Sequence, residues 1–591
     1  MSDNAHSGTP ASGRRRPLLI GLAVAVLIVV GFGLWLGYCT YSARTNLETT
    51  RDAATRAKDA LLTGDVPAAR TAAAEAADAA DAARANTSAL PMTVAAAVPW
   101  LGSPVDTVVQ ITDVVHGLAV DVLEPATEAG ATISPDSVVE GGGRVNLQAL
   151  SDAEPVLAQT SAAADELYRR AQSIDDPAFL SVVGEAREQL QNQTHDLASL
   201  LGNTYTATRL LPKMMGADGP RSYFLAFQTP AEARGTGGLI GGYGILRAEN
   251  GTAEIDKLGT TRELKFAERP IDLGSEYNAL WGPRNTTVDF RNSNASANFP
   301  YAGQIWTSMW TEQTGESLDG AIATDPIALS YLLGATGPVR LADGEEITAD
   351  NVVEVTLSSS YARFGDDQLA RKMYLQEIAA AVVTKMTSGV APTRALIDAL
   401  GRAGSEGRIA VWSADASAQE ILAGTAIGHA LPDDPAPYAG VVVNNAGGNK
   451  LDYYLTRDIT YTAEACTGPT RKSTVTATLT NNVQADGLTT YVASTFLQGV
   501  PYGTNESIAY LYGTQGAKIT SMSIDGAPAF SVQSGTELGR PVKAAYLSIA
   551  PGESSSVTWE LEEPSVPGQA SVPVQPLVDT PAVTVDVPEC R

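Results

Sequence analysis

The sequence predicts a multi-domain protein: one N-terminal transmembrane helix, an α-helical stalk or bundle, a central α/β domain and a C-terminal β-sandwich. Three observations lead there. Residues 18–39 are uncharged and follow directly on Arg14, Arg15 and Arg16. Residues 44–204 are Ala-rich and acidic, with helical periodicity. From Arg221 strands and helices mix, and beyond 440 the pattern becomes strand-like. The predicted divisions are a cytoplasmic tail over 1–17, a span over 18–39, a helical region over 44–204, an α/β domain over 205–430 and a sandwich over 440–591.

At about 1.5 Å per residue, 18–39 covers about 33 Å, enough for the hydrocarbon core of a bilayer. The arginines in front keep the N-terminus cytoplasmic, so the expectation is a single-pass plasma-membrane protein with its bulk extracytoplasmic. A cleaved signal peptide is the competing reading, but its apolar region would be shorter. Leu36-Gly37-Tyr38-Cys39 departs from a lipoprotein box because Tyr38 fills a small-residue position.

Lys and Arg number 40 and Asp and Glu 66, a net charge of −26, with no basic cluster beyond the first residues; this argues against a nucleic-acid partner. Four histidines and three cysteines are too few and too scattered for a zinc cage, so no metal ligands are predicted. Cys466 and Cys590 are the only cysteines beyond the anchor. In an oxidising compartment they suggest one disulfide, with two unrelated thiols as the alternative.

Within 44–200, 10 basic residues face 23 acidic ones. Asp65 suits an N-cap and Pro67 a first helical turn, which predicts a helix–turn–helix pair. Further helices are expected over 94–101, 105–122, 147–157, 165–171 and 179–201. In the central region strands are expected over 223–227, 239–247, 252–258, 321–323 and 338–341, and helices over 299–313, 326–333, 352–361, 368–387, 392–400 and 418–422. Glu249-Asn250-Gly251 reads as a hairpin turn. The sandwich strands are expected over 453–461, 474–480, 490–497, 519–524, 542–549 and 555–561, with 564–588 as an edge strand or a tail held by Cys590.

Chemistry concentrates in two features. Gly235, Gly237 and Gly238 open a run of five glycines that ends at Gly242. Such a loop serves tight strand packing or lets backbone N–H groups approach an anion; it has neither P-loop nor Rossmann spacing. Residues 221–291 hold nine basic and nine acidic residues, against the acidic excess of the helical region. Arginine suits bidentate phosphate recognition, and pairing with nearby Glu and Asp is the alternative.

Most of the outer portion, about 44–590, resembles bacterial envelope proteins grouped as domain of unknown function 4012. The resemblance rests on Val98-Pro99-Trp100-Leu101-Gly102, on Phe227-Gln228 through Thr236-Gly237-Gly238, and on Asp319-Gly320-Ala321-Ile322-Ala323-Thr324-Asp325-Pro326 continuing to Gly337-Pro338-Val339. Residues 220–390 more distantly resemble the LytR-CpsA-Psr phosphotransferases, which move glycopolymers from polyprenyl-pyrophosphate carriers. Arg234 falls on that family's first loop and Arg262 after its second hairpin strand; Tyr361-Ala362-Arg363-Phe364 and Arg371 resemble its last segment. The resemblance implies that Arg234, Arg262, Arg363 and Arg371 hold a pyrophosphate beside an apolar pocket for the lipid tail. It also implies magnesium where phosphotransfer occurs. Arg234, read as an exposed cleft residue, is expected to contribute little to stability. The family's acidic motifs are altered: Gly235-Thr236-Gly237 stands where it has Asp-Thr, and Arg262-Glu263-Leu264 where it has Arg-Asp-Thr. Three functions follow: a binder of lipid-linked or envelope polysaccharide with no cofactor, a glycopolymer phosphotransferase, or a structural envelope protein whose protein partners are not named by the sequence.

Overall fold

The computed structural model describes residues 15–98, 102–132, 138–140, 143–387 and 393–590. They form two compact units, Met1–Val138 with Asn146–Leu211, and Val139–Val145 with Pro212–Arg591.

The first unit is helical: α1 (Arg15–Leu62), α2 (Val66–Thr87), α3 (Leu90–Ala96), α4 (Ser103–Gly117), α5 (Glu124–Thr132), α6 (Leu147–Gln172) and α7 (Ser181–Met214), whose last residues cross into the second unit. The expected span 18–39 is part of α1, which runs on unbroken into the stalk. The side chains of 15–30 lie outside the described residues, and among the described residues no helix is long and apolar enough to cross a membrane. Asp65 caps α2 by accepting from the Ala68 N–H at 3.1 Å. Ala57, Ala72 and Ala73 are buried where α1 and α2 meet, since small side chains let two helices approach closely. Ile111, Val114, Leu157, Leu167 and Leu190 fill the main core. The two helices expected over 147–171 are one, with Pro155 inside it.

The second unit is built on a five-stranded mixed sheet. β1 (Arg221–Arg234), β2 (Gly237–Glu249) and β3 (Thr252–Thr260) form an antiparallel meander. Asn250 and Gly251 both take positive φ, as a two-residue hairpin turn requires. The chain then passes through α8 (Ser275–Trp281) and α9 (Phe299–Thr314) to β4 (Gly320–Thr324), which lies parallel to β1. Next come α10 (Pro326–Thr336), α11 (Gln368–Thr387) and α12 (Thr393–Ser405), and then β5 (Ile409–Ser413) closes the far edge antiparallel to β4. The sheet order is therefore β3-β2-β1-β4-β5. Phe224, Tyr243, Trp306 and Trp310 pack between α9 and the sheet.

The C-terminal part is a two-sheet sandwich. Its strands are β6 (Gly440–Asn445), β7 (Leu455–Ala463), β8 (Thr470–Asn481), β9 (Asn505–Tyr512), β10 (Lys518–Ile524), β11 (Ala527–Pro528), β12 (Gln533–Glu537), β13 (Arg540–Ile549), β14 (Ser554–Pro564) and β15 (Ala582–Asp586). One sheet has the order β6-β9-β13-β12, the other β11-β10-β14-β8-β7-β15. Alternation along β8 sends Val475, Ala477 and Leu479 into the core between them. The four-stranded sheet is covered on its other face too: Tyr510, Tyr512 and Val542 share a core with Trp281, Phe299 and Trp306. The mixed sheet's surroundings and the sandwich thus form one continuous hydrophobic body.

Two sequence expectations are corrected. Residues 490–497 are not a strand: Thr490–Ala493 makes one helical turn, and the Val492 carbonyl is taken by the Lys450 N–H at 2.9 Å. β9 was not anticipated, because it is buried on both faces and its residues do not alternate. The tail is fastened back twice. β15 pairs parallel with β7, and a disulfide joins Cys466 to Cys590. Replacing both cysteines by serine should cost about 2–5 kcal/mol. Denaturant unfolding with and without reductant would check it: the wild type should respond to reductant and the variant should not.

Glu537 ends β12 fully buried, and among the described residues it has no ion-pair partner. It accepts from Trp281 Nε1 at 2.6 Å, Ser296 Oγ at 2.5 Å and Tyr512 Oη at 3.3 Å. Burial raises its carboxyl to about 6. The folded state therefore holds this proton more tightly than the unfolded chain, and its stabilising contribution is lost as pH rises through 6. Between pH 4.5 and 7 the wild type should lose up to about 2 kcal/mol relative to Glu537→Gln in urea unfolding; parallel pH curves would refute this.

Candidate functional site

In open α/β sheets ligands sit outside the carboxyl ends of the strands, and the main cleft lies at the carboxyl end of β1. A register break between Thr229 and Ala233 bulges the strand, and Glu232 lies in the bulge. Glu232 is buried and bound by two cations: Arg234 Nη2 at 3.0 Å and the Lys450 ammonium. Burial alone would raise its pKa, but Lys450 and Arg234 outweigh that and hold the carboxyl below its ordinary value. Burial likewise works against the Lys450 ammonium, and Glu232 overrides it, raising its pKa. Arg234 also donates to the Arg291 carbonyl at 3.0 Å and to the Ala233 carbonyl at 2.8 Å.

The cleft has a volume of about 650 Å³. Its lining brings together Arg234, Arg262 and Arg371, far apart in sequence, with Lys265, Arg291, Lys372 and Lys450; its carboxylates are Glu232 and Asp289. Both are already committed, Glu232 as above and Asp289 to Arg291 at 2.7 Å. Arg371, in the first turn of α11, is buried, shares Gln368 Oε1 at 2.8 Å and stacks on Tyr361 at 4.3 Å and Tyr491 at 5.4 Å. Among the described residues neither Arg262, Lys265, Arg371 nor Lys372 has a carboxylate within ion-pair distance. Like charges gathered this way repel unless an anion enters.

A narrower groove of about 100 Å³ adjoins the cleft, lined by Phe227, Leu258, Leu329, Leu357, Leu375 and Ile378. Thr229, Gly241, Lys372 and Leu375 border both.

Arg363, expected in the same site, lies elsewhere. It is exposed, pairs with Glu345 at 2.5 Å and Asp343 at 3.5 Å and stacks on Tyr374 at 4.7 Å, because local acids on the 341–346 turn neutralise it. Gly235, Gly237 and Gly238 do not face the cleft either. A Cβ on Gly235 would stand 2.3 Å from the Ala295 carbonyl oxygen, and one on Gly238 2.2 Å from Thr229 backbone, so these glycines serve tight packing. Sequence reasoning missed Lys450 and Tyr491. Lys450 follows a Gly447-Gly448 pair and Tyr491 sits in a segment expected to be a strand, so nothing local marks either; only the fold brings them to β1. The cleft carboxylates also do not fit a magnesium site: both are in ion pairs, and among the described residues no three His, Cys, Asp or Glu side chains are grouped to hold a metal.

Fold and cleft together define a multi-domain α/β protein with a basic crevice at the carboxyl end of its first strand. Residues 218–361 match the family described as protein of unknown function (DUF4012). The match contains Arg234, Arg262 and Tyr361 and stops short of Arg371, Lys450 and Tyr491. No curated protein and no solved structure matches the chain.

The expectation that Arg234 is dispensable for folding is corrected by its burial and by its partners on Glu232, Ala233 and Arg291. Arg234→Ala should destabilise by about 3 kcal/mol, because it removes one of the two cations holding a buried carboxylate. Arg262→Ala, at an exposed side chain, should change stability by less than about 0.5 kcal/mol. Urea unfolding of the two variants side by side checks the contrast, and equal effects would contradict it.

Proposed function

We propose that this is a membrane-anchored, extracytoplasmic cell-envelope protein whose cleft binds the phosphate or pyrophosphate of a lipid-linked or envelope polysaccharide. One observation carries the reading: seven basic side chains converge on a cleft whose two carboxylates are both already paired. A surface with a purely structural role gains nothing from unpaired guanidinium and ammonium groups held side by side. The apolar groove at the cleft's edge gives an acyl or prenyl chain a place to start, although its volume takes only the first part of a long chain.

Binding is favoured over phosphotransfer. Positions that are acidic in the LytR-CpsA-Psr pattern are Gly235 and Glu263 here, and Glu263 is occupied by the Thr260 N–H at 2.8 Å. The anchor reading rests on the uncharged run after Arg14–Arg16 and on Leu34, Trp35, Tyr38 and Tyr41. These four are exposed on α1 next to Cys39 and Ala43, which are buried. Aromatic residues favour such a membrane interface.

Calorimetric titration of the full chain in detergent with farnesyl pyrophosphate should show binding that weakens with salt, as screening requires. Arg262→Ala should weaken it about tenfold without altering the melting temperature, the size of one lost charge-assisted hydrogen bond. Binding indifferent to both salt and Arg262 would sink the reading.

A further inference from the structure

Lys372 stands where the two cavities meet. Of the side chains that border both the basic cleft and the apolar groove, it alone is charged. It is half-buried in the first turns of α11, and among the described residues its ammonium has no hydrogen-bond or ion-pair partner. The groups around it are mostly cations or already engaged. Arg371 precedes it on the helix and Arg262 approaches from the segment after β3. Glu263 is the nearest carboxylate, taken by the Thr260 N–H and in reach of Tyr243 Oη on β2. Asp325, at the head of α10, is held by Arg408 at 3.1 Å and by the Ala328 N–H at 2.8 Å. An isolated ammonium at the mouth of an apolar groove is costly to keep charged. An anion tethered to an apolar chain satisfies both sides at once, its charge against the ammonium and its chain in the groove.

We propose that Lys372 is the specificity-determining residue that recognises the phosphate directly attached to an apolar chain, so that the site selects amphiphilic phosphate esters over free inorganic pyrophosphate. This rests on the binding reading of the cleft and adds to it the position of the chain-proximal phosphate. Burial, then Arg262 and Arg371, bring the Lys372 ammonium down to about 8. The free protein therefore loses this charge between pH 7 and 9. Binding an anion restores it with uptake of a proton, so affinity falls as pH rises through 8.

The test uses the full chain in detergent with farnesyl pyrophosphate and inorganic pyrophosphate at pH 7 and 9. For the wild type, farnesyl pyrophosphate should bind more tightly than inorganic pyrophosphate and lose about tenfold in affinity from pH 7 to 9. Lys372→Arg, which keeps its charge, should hold its pH 7 affinity within about threefold at pH 9. Lys372→Gln should bind weakly at both pH values and lose the preference for the farnesyl ester. The ligand's own titration is common to wild type and Lys372→Arg and cancels in the comparison. Identical pH profiles for those two proteins, or an unchanged preference in Lys372→Gln with a normal melting temperature, would overturn the proposal while leaving the cleft reading standing. No binding of either probe by the wild type would overturn the cleft reading and this proposal together.

Discussion

Burying Glu232 beside Lys450 and Arg234 takes three charges out of water in one place, and the geometry of the cleft follows from keeping them satisfied. The carboxylate comes from a bulge in β1, one cation lies two residues further along the same strand, and the other arrives from the sandwich, more than two hundred residues later. Such a group contributes little net stability compared with an apolar substitute. What it does is fix position. Lys450 stacks on Tyr491 at 5.2 Å, Tyr491 stacks on Arg371, and Arg371 sits on Tyr361, so one ion pair orders a column of side chains across the cleft floor.

The sandwich therefore acts as a wall of the site as well as a separate layer. Asp452, fully buried, accepts from the Ala233 N–H at 2.8 Å and from the amides of Asn445 and Asn505, each at 2.7 Å. Burial raises its carboxyl above the ordinary value even with three donors around it. These bonds pin the end of β1 to β6 and β9. Gln575, in the tail, adds a further clamp: its amide donates to the Arg234 carbonyl at 2.7 Å and to the Val443 carbonyl at 2.8 Å, while Val443 N–H donates back to its oxygen. The cleft is rigid on the side of β1 and lined by unpaired, solvent-facing cations such as Arg262 on the other.

Local signals were legible where one face of an element is wet. The β2–β3 hairpin showed through its Asn-Gly turn and β8 through its strict Thr, Val and Ala alternation. β9 was hidden because Asn505–Tyr512 is buried on both faces, so its sequence carries no period. Three of the four arginines expected at the site meet in one cleft; Arg363 does not, since the acids that neutralise it lie on a neighbouring turn that spacing along the chain does not reveal. The glycine run was conspicuous in sequence for a reason of packing: backbone from 229 and 295–296 presses where a side chain would be. Lys450 and Tyr491 were invisible because their role comes from a long-range pairing with β1 and α11.

The tail's clamp also sets an order of events. Gln575 lies within the last twenty residues of the chain, and the strand it supports, β1, begins near residue 221. Between them the whole meander, helical layer and sandwich must emerge before Arg234 acquires its final carbonyl contact. The site takes its final form only when the last segment folds back along β7, and closure of the Cys466–Cys590 link makes that step hard to undo. A chain cut short before Gln575 would present Arg234 without the clamp that joins its carbonyl to β6.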